Sequence, residues 1–195
     1  MLIVCVELAV VEAELVDGLL GCPSCRGALG PWGWARERVL RCRSGDRVLV
    51  PRRARCRGCL GTHVLLPDLV LLRRHDEITV IGIAIERKVA GEGYRRIAEP
   101  LRVPADTVRG WLRRFAERAE LIRGLFTRLA VALDPELGPV LPAGSGGADA
   151  LEAIAVAARA FGLRFGPRPV WQIVSRLSAG GLLSRNTSSL ATGSW

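Results

Sequence analysis

Apolar and polar positions divide the chain into a turn-rich first third and a helical remainder. Leu2–Val6 is a β-branched apolar run and predicts a short strand; Ala9–Leu20 sets apolar residues at helical spacing with acids between them. Between residues 36 and 55, Val and Leu recur among arginines on either side of Ser44-Gly45-Asp46. That pattern predicts a β-hairpin of Arg36–Arg43 and Arg47–Arg55, with Pro51 weakening its second strand. Val64–Arg74 reads as an apolar connector, because Pro67 interrupts a helix there.

Beyond residue 75 the period changes. Ile78, Ile81, Ile85 and Val89 recur at three- and four-residue steps, predicting a helix over Asp76–Ala90 that Gly91-Glu92-Gly93 ends. Tyr94–Leu101 predicts a second, short helix. Pro104 suits the first turn of a third, running from Ala105 to Arg118 and on, after a bend at Gly124, to Leu133. Three prolines and four glycines make 134–148 a linker. Asp149–Phe161 follows as an Ala-rich helix with Asp149 as its N-cap, then Pro169–Ser178 as a last helix, then a polar tail.

Charge changes the picture in one region. The formal net charge is +9, yet residues 1–21 carry four acids and no Lys or Arg, while residues 22–128 hold 23 basic and 11 acidic residues. A basic chain is drawn to polyanions. Of the basic residues only Lys88 is a lysine; arginine suits bidentate phosphate and guanine contacts, although the codon bias of a GC-rich genome produces the same skew. The acidic start lacks a positive n-region, so no secretory signal is expected, and no stretch of about 20 residues is free of charge, so no membrane span is expected. A cytoplasmic, nucleoid-associated location is expected, and six cysteines in a reducing compartment argue for a metal site rather than disulfides.

Four of those cysteines stand in two copies of C-x-x-C-x-G: Cys22-Pro-Ser-Cys25-Arg-Gly27 and Cys56-Arg-Gly-Cys59-Leu-Gly61. Two such knuckles joined by a hairpin have the layout of a zinc ribbon, with a structural Zn²⁺ on Cys22, Cys25, Cys56 and Cys59. In each turn the Gly is expected to supply a positive φ. A redox C-x-x-C would follow a strand in a βαβ pattern, which is not visible; iron on the same thiols is the alternative metal. Cys42 and Cys5 read as small buried hydrophobes, His63 as a structural or surface residue rather than a ligand, and Trp32 and Trp34 as cover for the metal site or the hairpin rather than as stacking groups for bases.

Residues 94–112 have the pattern of a helix-turn-helix. Two short helices crossing steeply need a small residue at the crossing, here Ala98, and apolar facing sides, here Ile97, Leu101, Val108 and Trp111 or Leu112, with Val103 plugging the turn. Arg102 stands where glycine usually opens the turn, and Pro100 lies inside the first helix. The recognition helix offers Ala105, Asp106, Thr107, Arg109, Gly110 and Arg113 as its DNA face. Arg109 is the candidate for guanine readout, and Arg95, Arg96, Arg102, Arg113 and Arg114 are candidates for phosphate contacts.

With CPSCRGALGPWGWAR, RRARCRGCLGTHVLLPDLVLLRR and GEGYRRIAEPLRVPADTVRGWLRRF in this order, residues 20–116 resemble a family of small proteins from high-GC bacteria, a domain of unknown function described as helix-turn-helix or transposase-like. The resemblance implies a zinc-binding N-terminus and an insertion-sequence-like helix-turn-helix, and no established activity. After Arg118 too little chain remains for a ribonuclease-H-like core with its carboxylate triad, so no catalysis is expected.

The fold expected is α+β: a strand–helix cap (1–21), a zinc ribbon (22–66), a homeodomain-like helix-turn-helix domain (67–133), a linker (134–148), C-terminal helices (149–183) and a disordered tail (184–195). The function expected is duplex-DNA binding as a transposon-associated accessory factor or transcriptional regulator, with a transposase or a second copy of the chain as further partners. A zinc-ribbon adaptor for protein or RNA is the alternative.

Overall fold

The computed structural model describes residues 1–184 and shows a mixed α+β fold. The elements in chain order are β1 (Leu2–Val4), α1 (Leu8–Val16), β2 (Leu29–Trp34), β3 (Arg38–Cys42), β4 (Gly45–Leu49), β5 (Arg52–Cys56), β6 (Thr62–Pro67), α2 (Ile78–Val89), α3 (Tyr94–Leu101), α4 (Ala105–Glu117), α5 (Ala119–Leu133), α6 (Gly146–Phe165) and α7 (Val170–Leu177). The tail expected at 184–195 lies, from residue 185 on, outside the described residues.

The strands form a four-stranded sheet in the order β1-β6-β5-β2 and a separate β3-β4 hairpin. β5 and β6 are antiparallel through Arg52↔Leu65 and Ala54↔His63, and β1 runs parallel to β6 through Leu2↔Leu65 and Val4↔Pro67. Two sequence expectations change here. The hairpin is shorter than the alternation suggested: Cys42 faces Gly45 across Arg43-Ser44, and Gly45 takes φ +115° as the chain returns. At Pro51, which has no N–H to donate, the chain leaves the hairpin, and β5 pairs with β2 and β6 instead. The stretch read as a connector contains β6. Leu65 and Leu66 are both buried because the sheet is covered on both faces, so the strand shows no alternation.

One face of this sheet packs under α1 through Val4, Val11, Leu15, Leu29, Ala54 and Leu65; the other meets the hairpin through Ile3, Leu40, Leu66 and Val70. The helices share a larger core running from Leu71 in the connection before α2 to Leu183 after α7. α6 and α7 therefore pack into the same interior as α2–α5.

α3 has the bounds the sequence predicts, with Pro100 in its last turn. The bend expected at Gly124 falls at Arg118 instead, whose φ −118° and ψ 4° end α4 and open α5. α5 runs through Gly124 unbroken. α6 begins earlier than expected, at Gly146, because Ser145 and not Asp149 is its N-cap: Ser145 Oγ accepts from the Ala148 N–H at 3.2 Å. Among the described residues no helix is long and apolar enough to cross a membrane.

Candidate metal centre and basic helix face

The two knuckles lie at the end of the β5–β2 pairing, where Leu29↔Cys56 is the terminal pair. Each is closed by backbone bonds of the same form, Cys22 N–H to Gly27 O at 2.8 Å and Cys56 N–H to Gly61 O at 2.9 Å. The positive φ that the sequence assigned to the glycines belongs to the residue before them: Arg26 has φ 63° and Leu60 φ 61°. The glycines answer a spatial need. A Cβ on Gly27 would stand 3.2 Å from Cys56 Sγ and 3.4 Å from Cys25 Sγ, and one on Gly61 would stand 3.4 Å from Cys59 Sγ.

The four thiols converge. Cys25 and Cys56 sulfurs are 3.4 Å apart, those of Cys22 and Cys59 are 3.7 Å apart, and all four lie within 4.8 Å of one another, so they could hold a metal ion. Sulfurs about 2.3 Å from a central zinc in a tetrahedron are about 3.8 Å apart, so the cluster is consistent with that ion. None of the four is in a disulfide; Cys22 and Cys56 are buried, Cys25 and Cys59 exposed.

The backbone is aimed at the first sulfur of each pair: Ser24 N–H donates to Cys22 Sγ at 3.4 Å, and Gly58 and Cys59 N–H donate to Cys56 Sγ at 3.3 and 3.4 Å. For Cys22 burial opposes ionisation, yet the Ser24 and Cys25 N–H groups outweigh it and lower the thiol to about 7. The Cys59 N–H, with help from Cys25 and Gly58, lowers Cys56 to about 6. Cys59 is pushed up to about 11: the Gly61 N–H favours its thiolate, but the other three sulfurs outweigh that donor.

Cys42 stays in the hairpin, its Sγ 3.6 Å from Leu40 O, and is not part of the thiol group. Cys5 is buried, with Arg168 Nη1 at 3.4 Å from its sulfur. His63 comes closer to the centre than its sequence position suggested: β6 carries its Nε2 to 3.3 Å from Cys22 Sγ. Trp32 and Trp34 lie on β2 beside arginines of β5. They are 51% and 50% exposed, with Arg55 over the first ring at 4.5 Å and Arg52 over the second at 4.8 Å.

The second group of sequence-selected residues lies on α3, α4 and the three residues between them. Arg102 adopts φ 53° and ψ 37°, the left-handed conformation a glycine would take at this helix end, and Val103 is buried behind it. α4 buries Val108, Trp111, Leu112 and Phe115. Its other side exposes Asp106, Arg109 and Arg113, with Ala105, Thr107, Gly110 and Arg114 half-buried. Arg109 lies 3.9 Å from Asp106 and Arg113 3.6 Å from Glu117, both loose exposed pairs. Arg114 Nη1 donates to Gly110 O at 2.9 Å. Arg95 and Arg96 are exposed on α3, Arg95 against the Tyr94 ring.

Beside α4 the structure opens a cleft of about 600 Å³. One wall is α4 from Asp106 to Arg114; the other is Arg41 of β3 with the turn Arg73–Asp76. The two parts of this second wall are joined by their backbones: Arg41 N–H donates to His75 O, and Glu77 N–H donates to Arg41 O. Sequence reading did not select Arg41, Arg73 or Arg74, because only the sheet-to-helix connection brings them to α4. The available signal was the Arg73-Arg74 pair before a helix start.

No curated protein and no solved structure matches the chain. Residues 22–111, from the first thiol to Trp111 of α4, match the family model described as a domain of unknown function (DUF6431), and over that segment the chain is similar to that family.

Proposed function

We propose that this protein binds duplex DNA, as a transposon-associated accessory factor or transcriptional regulator, and has no catalytic role. In this reading α3 and α4 form a helix-turn-helix, with α2 completing a homeodomain-like trio, and Cys22, Cys25, Cys56 and Cys59 hold a structural Zn²⁺ in a zinc ribbon. One observation carries the reading: α4 is anchored by Val108, Trp111, Leu112 and Phe115 while the Arg109 and Arg113 side chains stay 64% and 58% exposed. A helix fixed on one side and cationic on the other suits insertion into the major groove.

Within that geometry Arg109 would read guanine through O6 and N7. Ala105, Thr107 and Gly110 are small enough to let the helix approach the base edges, and Asp106 can accept from a cytosine amino group. Arg95, Arg96, Arg102, Arg113 and Arg114 would set register by contacts to phosphate. A zinc ion on four thiolates has no open position, so it supplies rigidity to the knuckles and not chemistry. The protein would work at the nucleoid, with a transposase or a second copy of the chain as a further partner.

The test is selection of bound fragments from random duplex DNA by zinc-loaded protein. An enriched motif whose guanine preference disappears in Arg109→Ala is the expected result. No enrichment, with retained binding to RNA or to a protein, would replace this reading by the adaptor one, for which the exposed Trp32 and Trp34 are the supporting feature.

A further inference from the structure

The cleft beside α4 gathers positive charge on both walls. Arg109, Arg113 and Arg114 line it from the helix, and Arg41, Arg73 and Arg74 from the opposite side. Only two carboxylates share the lining, Asp76 and Asp106. Asp76 is buried and taken up by Arg41, whose Nε and Nη2 donate to its two oxygens at 2.9 and 3.0 Å. That pair fixes the Arg41 guanidinium at the cleft and still leaves its side chain 45% exposed. Asp106 is 92% exposed and meets Arg109 only at 3.9 Å, so it neutralises little.

We infer that this cleft takes one phosphodiester strand of a bound duplex, gripped between α4 and Arg41, Arg73 and Arg74; the inference rests on the duplex-DNA reading above.

Two features of the far wall support an anion. Arg74 is held by its ends, Nη1 on Arg73 O and Nη2 on Leu183 O, while its Nε is buried without a hydrogen-bond partner. Burial first, and then the charge of Arg114, hold Arg74 below the usual arginine range. Like charges on facing walls repel until an anion lies between them.

Arg73 is the second feature. It is exposed and sits at φ 60°, a left-handed conformation that strains a non-glycine residue. Glycine there would remove the guanidinium and relieve that strain in one change. Thr107 and Gly110, both on the α4 wall, keep the cleft wide beside the helix axis. A duplex with α4 in its major groove would then have one groove-flanking backbone lying along this wall.

Arg73→Gly separates charge from fold, because it removes the cation and eases the backbone. The full-length, zinc-loaded protein and its Arg73→Gly, Arg74→Gln and Arg109→Ala variants are titrated with a short labelled duplex of mixed sequence at stepped salt, and their thermal melting is recorded. The expected result is that Arg73→Gly melts no lower than the parent, while its log K against log salt slope becomes shallower by about 0.9, as for one lost phosphate contact. Arg74→Gln should lose a similar amount. If both keep the parental slope while Arg109→Ala weakens binding, the cleft assignment is overturned and the duplex reading stands. If the parent binds no duplex, both are overturned together.

Discussion

The indole of Trp171 in α7 lies against Gly82 in α2, where an added Cβ would stand 2.0 Å from the ring. Trp171 Nε1 also donates to Glu86 Oε1, one turn along α2, at 2.8 Å. These two contacts fasten α7 to the helix against which α3 and α4 pack. Gly82→Ala raises helix propensity by about 1 kcal/mol, but the backbone and an indole cannot both stay in place. Overpacking of this kind costs about 3 kcal/mol or more, so a net loss of stability is expected, read as a lower denaturant midpoint. An unchanged midpoint would place Trp171 elsewhere.

The knuckle glycines are predicted to matter through space rather than through φ. Gly27→Ala presses a methyl group between the sulfurs of Cys25 and Cys56. Gly21→Ala, one residue before the first thiol, meets nothing closer than 3.9 Å. Competition against a chromophoric chelator should show Gly27→Ala weakening metal retention about tenfold, with Gly21→Ala close to the parent. Equal affinities would contradict the spatial role assigned to Gly27.

Asp68, at the corner after β6, is buried, and burial raises its carboxyl above the ordinary value of 3.8 despite the pull of Arg176 and Arg168. The folded state therefore holds this proton more tightly than the unfolded chain does. Stability from this group is highest below the ordinary value and falls as pH rises towards the folded value. Asp68→Asn removes the cost. Its melting temperature should exceed the parent's at neutral pH, and the gap should close on acidification. A gap independent of pH would contradict the raised carboxyl, and a variant less stable at neutral pH would show that the ionised carboxylate is paired in the folded protein.

The helices around α4 were legible because their burial follows one period. Ile97 of α3 and Val108, Trp111 and Phe115 of α4 are apolar in sequence and buried in the structure, and α3 keeps the bounds the pattern predicts. The strands around the thiols were less so. β3, β4 and β5 mix arginine with Val, Leu or Ala in similar ways, and nothing local distinguishes a strand that pairs with its neighbour from one that leaves at Pro51 to join β2 and β6. Spacing revealed the four thiols but not the reason for their glycines, which appears only when the knuckles face each other. Arg41 and Arg74 are 33 residues apart in sequence and share a cleft wall only because the backbone of Arg41 bonds to His75 and Glu77.

The central claim is that α4 reads duplex DNA, and its most direct test is competition. Zinc-loaded protein on a labelled duplex is challenged with the same duplex unlabelled, with either strand alone and with the matching RNA, at several salt concentrations. The account predicts that the unlabelled duplex competes best and that log K falls linearly with log salt. Equal competition by the single strands or RNA, or an affinity that does not change with salt, would contradict it.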